Sequence, residues 1–250
     1  QLLSQRKNQP MKNFKLFAIV MLLSGWAATA AQAANPVVRY FSRLLDETRA
    51  EKAIDELLLQ QFSSEMPENI HIASDSALTA RMRKLAENSP RPDISFQVLV
   101  IESDVVDEIP MPGGTLLLTS GLLSSATGDE QRDFILARNI MHIVLKHPMR
   151  LIKQEGLYPA LLNQLKLLPE RRNREQMRTL VRDYLRNLAK MNHKKADLQG
   201  ILLTSSPENT RKAAITLLGS FSVRLWPVSS WDTGDLPSRI SELEKLKLPE

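Results

Sequence analysis

The stretch that most limits what this chain can fold into is Phe134-Ile-Leu-Ala-Arg-Asn-Ile-Met-His-Ile-Val-Leu-Lys-His147. It reads as a buried helix with a histidine near its centre and a polar pair, Arg138 and Asn139, just before it. Arg138 and His142 lie four residues apart, so both project from one helix face. Gly128-Asp129-Glu130 opens the helix with acids that suit the positive end of its dipole.

The rest of the chain supplies mostly helices. Apolar residues recur at three- and four-residue steps over residues 36–62 and again over 74–88, where Ser89-Pro-Arg-Pro-Asp93 stops the second run. Residues 95–102 are rich in branched and aromatic side chains and read as a strand. A turn at Pro110-Met-Pro-Gly-Gly114 leads into a second strand over 115–119. Helical patterns return over 149–168, then as one long helix over 174–203, over 208–221, and over 237–246. Many helices and few strands make an α-rich α+β domain. There is no cysteine, so no disulfide framework and no thiol nucleophile.

Residues 1–10 carry no pattern and read as upstream translated sequence. Residues 11–33 read as a secretory signal: Lys12 and Lys15, an apolar run over 16–28, and Ala31-Gln-Ala33 as a small-residue cleavage site. A helical segment is expected over 34–73 and the main domain over 74–250. The formal net charge of +5 belongs largely to the leader, because residues 1–33 hold four of the 33 Lys and Arg and none of the 28 Asp and Glu. What remains is close to neutral and gives no ground for nucleic-acid binding. An exported, periplasmic protein is the expectation.

Taken in order, Asp107-Glu-Ile-Pro-Met-Pro-Gly-Gly-Thr-Leu-Leu-Leu-Thr-Ser-Gly-Leu122, Leu136-Ala-Arg-Asn-Ile-Met-His142 and Ala196-Asp197 resemble metallopeptidase family 48. That is the group of the CAAX prenyl protease, the membrane heat-shock protease and their soluble periplasmic relatives. The 75–93 region and Pro237-Ser-Arg-Ile-Ser-Glu-Leu243 are also similar to it. The resemblance implies a mainly α-helical, zincin-like (gluzincin) peptidase domain with a small sheet packed on the active-site helix. It also implies a zinc ion held by a His-Glu-x-x-His helix and a later Glu, with substrate added as a β-strand to an edge strand, here Thr115, Leu116, Leu117, Leu118 and Thr119.

Carried over position by position, that pattern is broken. The first zinc histidine falls on Arg138, which has no lone pair for a metal. The general-base Glu falls on Asn139, an amide that cannot take a proton from a metal-bound water. The second histidine is kept as His142, the third ligand becomes His193, and the supporting Asp is kept as Asp197. A further family histidine falls on Thr233. His147, five residues past His142 on a continuous helix, is expected to point elsewhere, and His71 is remote in sequence.

The expectation is therefore a non-cleaving relative without a bound cofactor, which binds polypeptides or an envelope partner in outer-membrane protein quality control. The alternatives are a working zinc endopeptidase with a rearranged site, and a peripheral module that meets an anionic membrane through the basic row Arg174, Arg178, Arg182, Arg186, Lys190 and Lys194. Two local expectations concern the helix itself and its surroundings. A buried guanidinium needs a partner, and Asp197 is the one at hand. Arg138 with Lys194 and Lys195 could instead form an anion pocket, and Phe221, Trp226 and Trp231 cap the core or shape a groove.

Overall fold

The computed structural model describes residues 36–68, 70–221 and 235–248, with side chains from residue 47 onward. The chain divides into two compact units, Gln1–Glu47 and Thr48–Glu250. Of the first, only the start of helix α1 (Pro36–Glu65) is described. The sheet, the other helices and the site all belong to the second.

Four short strands form one mixed sheet: β1 (Ile72–Ser74), β2 (Gln97–Ile101), β3 (Glu108–Pro110) and β4 (Thr115–Thr119). Their spatial order is β1-β2-β4-β3, with β2 and β4 parallel and the two outer pairs antiparallel. The hairpin between β3 and β4 closes with Met111 N–H donating to the Thr115 carbonyl at 2.8 Å. Gly114 sits in it at φ +117°, and a Cβ there would fall 2.8 Å from the Ser95 carbonyl oxygen, so the turn accepts only glycine. On α1, Asp55 Oδ2 accepts from Gly113 N–H at 2.8 Å and Thr115 N–H at 3.1 Å, tying the helix to this turn.

The family resemblance implies a peptide-binding edge strand at Thr115–Thr119. The structure corrects this: β4 is an interior strand, paired on both sides, and the outer strands are β1 and β3. Those two are only three residues long, too short to leave a period-two signature.

Alternation along β4 builds two cores. Leu116 and Leu118 join Val98 and Phe96 against the helices α2 (Ser76–Ala86), α4 (Asp129–Val144), α8 (His193–Ile201) and α9 (Pro207–Ser220). Leu117 joins Ile101 and Ile109 on the opposite face, against Ile54, Leu57 and Leu58 of α1 and residues of α5 (His147–Gln154), α6 (Tyr158–Leu165) and α7 (Arg174–Arg186). The short α3 (Ser120–Ser125) follows β4, and α10 (Leu236–Lys245) packs on α8 and α9. The fold is thus α+β, mostly helical, around a small sheet.

Helix α4 is the buried centre that the sequence points to, with residues 134–144 buried without interruption. Two helical runs end earlier than their patterns suggest. After α4, Lys146 adopts a left-handed conformation at φ 58°, the only non-glycine residue to do so among those described, and α5 restarts at His147 with Pro148 in its first turn. The expected helix over 174–203 is two. Asn187 Nδ2 turns back onto the Asp183 carbonyl at 2.7 Å, a 3₁₀ turn covers Leu188–Lys190, and Asn192 caps α8 by accepting from Lys195 N–H at 3.0 Å. Asparagine side chains compete with the helix for backbone groups, and here they win.

Candidate functional site

Helices α4 and α8 cross in close contact because Gly200 has no side chain. A Cβ at that position would lie 2.7 Å from Arg138 N and 2.8 Å from Arg138 Cα. The crossing places Arg138, Asn139 and His142 of α4 beside His193 and Asp197 of α8. Glu108 enters from β3, Arg239 from α10 and His147 from α5. All eight are buried.

Arg138 is the hub. Its Nε donates to Asp197 Oδ1 at 2.8 Å, its Nη2 faces His193 Nδ1 at 3.0 Å, and its Nη1 meets Glu108 Oε1. The Arg138–Asp197 pair expected from the sequence is present. Asp197 is shared, since Arg239 reaches Oδ2 at 2.7 Å through Nε and Oδ1 at 3.1 Å through Nη2. Glu108 is shared as well, because its Oε2 accepts from Asn139 Nδ2 at 2.6 Å. Two guanidiniums therefore face two carboxylates, and the charges balance. Burial pulls Arg138 down to about 10, Asp197 works against that fall and Arg239 adds to it. Arg138 stays a cation at neutral pH. The anion pocket envisaged around Arg138 is corrected by this arrangement: both anions that Arg138 needs are side chains of the protein.

The histidines form a second group. Because a guanidinium only donates, His193 Nδ1 must accept, which leaves its proton on Nε2. His142 and His147 face each other Nδ1 to Nδ1 at 3.1 Å, so one ring donates and the other accepts. The His142 ring centroid is 5.0 Å from that of His147 and 4.9 Å from that of His193. An outward-pointing His147 presumes one continuous helix; the left-handed turn at Lys146 returns its ring to His142. The Nε2 atoms of all three rings are buried without a hydrogen-bond partner. Burial pushes all three well below the ordinary histidine value, His147 to about 4, and the neighbouring cations add to the shift. All three are neutral at pH 7. His71 is exposed and outside the group, and Thr233, Trp226 and Trp231 lie outside the described residues. Phe221 is buried in the core.

These residues do not fit a catalytic zinc. Such a site needs about three protein donors plus a water. Among the described residues no group of three or more His, Asp or Glu side chains is placed to hold a metal. The guanidinium of Arg138 stands among His193, Asp197 and Glu108 and takes up their lone pairs. Asn139 Nδ2 is spent on Glu108 and on the Ile135 carbonyl at 2.8 Å, and an amide is no general base.

The outer edge of β3 is closed too. Asp107 and Met111 turn their backbone groups to β4, so Glu108 and Pro110 turn theirs outward. Glu108 N–H donates to Asp107 Oδ1 at 2.8 Å, Pro110 has no N–H, and its carbonyl accepts from the buried Tyr184 hydroxyl at 2.6 Å. An incoming strand finds no donor there. At the other side of the sheet, β1 turns the backbone of Ile72 and Ser74 outward, away from β2.

Glu108 and Arg239 are not singled out by the sequence, and His147 is expected there to point elsewhere. A carboxylate inside an apolar strand and an arginine at an apolar-periodic helix position were the signals available. The model of a protein family described as peptidase family M48 matches residues 73–247. No curated protein matches the chain.

Proposed function

The chain belongs to peptidase family M48, and from that premise we propose that it is a member that binds polypeptides or an envelope partner without hydrolysing them. The family's domain is of zinc metallopeptidase type. One observation carries the reading: at the place the family pattern gives to the first zinc histidine stands Arg138, neutralised by Glu108 and Asp197. Removing a metal ligand alone leaves a hole or a charge. Here the cation and its anions form a closed set that engages Glu108, Asp197 and His193, which supports a site without a catalytic metal.

The leader-like stretch over residues 11–33 supports a periplasmic setting, and with it a part in the quality control of outer-membrane proteins. With β3 closed, β1 is the sheet edge whose outward backbone suits an extended polypeptide. The competing reading, a peptidase with a rearranged site, draws on the three unpaired Nε2 atoms of His142, His147 and His193.

The deciding experiment measures zinc by mass spectrometry in the purified protein and follows cleavage of casein with and without a chelator. The expected result is no stoichiometric zinc and no chelator-sensitive cleavage. Tightly bound zinc together with cleavage that a chelator abolishes would establish the competing reading.

A further inference from the structure

The charge of this chain is unevenly placed. Residues 166–190 hold eight Lys and Arg against three Asp and Glu, an excess equal to the whole chain's +5. This segment contains the connection between α6 and α7 and all of α7. The inner face of α7, with Met177, Leu180, Val181 and Tyr184, is buried, so its arginines face out. Two of the three large apolar side chains that are exposed among the described residues lie at the head of the same segment: Leu167, 39% exposed, and Leu168, 56% exposed. Exposed leucines are ordinary singly; a pair at a tip, bracketed by Lys166 and Arg171, is not.

Beside that tip lies a depression of ≈ 380 Å³ lined by Pro169, Arg172, Arg174 and Arg178 on one side and by Gln60, Gln61, Ser64 and Glu65 of α1 on the other; its one carboxylate, Glu65, is held by Arg178 and the Gln61 amide. Among the described residues Arg172 holds neutral partners only, the Gln60 amide oxygen at 3.0 Å and the Gln164 carbonyl at 3.3 Å. Arg178 is paired with Glu65 and Glu175. Arg174, Arg171 and Lys166 make no side-chain hydrogen bond or ion pair with the described residues. The depression thus combines Arg174, which has no ion pair among the described residues, with Arg172, whose partners are neutral, next to two exposed leucines.

We propose that this corner is a docking surface for an anionic phospholipid bilayer. The phosphodiester of a headgroup sits in the arginine-lined depression, while Leu167 and Leu168 enter the boundary between headgroups and acyl chains. The charge excess draws the surface in, and the leucines supply the apolar burial that distinguishes a membrane from a soluble polyanion. No described helix is long and apolar enough to cross a membrane; the proposed contact is with the membrane surface. The expected basic row sharpens accordingly. Lys190 is paired with Glu155 and Lys194 with Asp235, whereas Arg174, Arg182 and Arg186 have no ion pair among the described residues; of these, only Arg174 lies beside the exposed leucines and the depression.

The test uses the full chain and vesicles of phosphatidylcholine, alone or mixed with phosphatidylglycerol. Binding is expected to the mixed vesicles only and to weaken as salt is raised. Arg171→Glu with Arg174→Glu should lower affinity roughly tenfold or more, and Leu167→Ser with Leu168→Ser several-fold, both with the wild-type melting temperature. Because the chain has no cysteine, Leu168→Cys offers a single thiol for an environment-sensitive fluorophore. Its emission should shift to the blue on mixed vesicles, while the same label at Leu202→Cys, a comparably exposed position outside the segment, should not shift. No binding to mixed vesicles at low salt would overturn the proposal, as would binding indifferent to the two arginine substitutions. Equal binding of polyglutamate without a shift at position 168 would replace it with an acidic-polypeptide surface. Release by inorganic phosphate would replace it with a free-phosphate site.

Discussion

Arg138 and Arg178 each reach two carboxylates, Glu108 and Asp197 in one case, Glu65 and Glu175 in the other. The Arg138 side chain is 1% exposed and that of Arg178 is 51% exposed. The two bonding patterns are nearly interchangeable, but the surroundings are not. At the surface, water and salt can replace either partner, so the pairs hold little of the fold. In the interior nothing replaces them, and every member of the set depends on the others. The site is therefore better understood as a closed charge network at the core than as a metal centre that lost a ligand.

The largest effect should come from opening that network. Arg138→Met leaves Glu108 without its cation inside the protein and is expected to cost about 3–5 kcal/mol in urea unfolding. Asp197 would keep Arg239. Adding Glu108→Leu should recover on the order of 2 kcal/mol, because an apolar pair replaces an orphaned charge. A double variant no more stable than Arg138→Met would mean that the guanidinium acts through packing alone.

Next in size is Gly200→Ala. The added methyl would press on the backbone of Arg138 rather than on a movable side chain. Crowding of that kind costs about 1–3 kcal/mol, read as a lower unfolding midpoint. A midpoint equal to wild type would show that α4 and α8 can part without harm, and the geometry around Arg138 would lose its supposed rigidity.

How much of this is legible in the sequence depends on where each residue stands. Arg138, Asn139, His142 and Asp197 sit at motif spacings on helices, and their places survive translation into structure. That Arg138 needs a partner follows from the cost of a bare buried cation; that the partner is Asp197 follows from the family pattern, which sets the two positions side by side. Glu108 and Arg239 come from a three-residue strand and a helix far along the chain, and no periodicity links them to α4. His147 is misplaced for a different reason: the left-handed residue that turns its ring is Lys146, where a glycine or asparagine would have announced the break. Strand order is set by pairing in space, so Thr115–Thr119 could read as an edge while lying inside the sheet.

The histidine group should give the fold a pH dependence. The folded-state values of His142, His147 and His193 lie below the ordinary 6.5, so the unfolded chain takes up protons first as pH falls. The stability tied to these rings is complete above pH 6.5 and declines between there and about pH 4, where His147 itself protonates. Each ring can contribute a slope of at most about 1.4 kcal/mol per pH unit. Replacing His147→Gln, which can still donate to His142 Nδ1, should flatten the decline in urea midpoints over this interval. An unchanged slope would place the proton uptake elsewhere.

Arg178→Ala should do least, which makes it the sharpest check on the contrast between the two arginines. It removes two carboxylate partners at once, as Arg138→Met does, and Arg178 in turn holds the Glu65 carboxyl below its ordinary value. Both ends of the lost pairs remain in water, so no charge is stranded, and Glu65 keeps the Gln61 amide at 2.7 Å. The unfolding midpoint is expected to match wild type at moderate salt, with any difference at low salt vanishing as salt is added. A salt-independent loss comparable to that of Gly200→Ala would mean that partner count, rather than burial, decides what an arginine contributes in this fold.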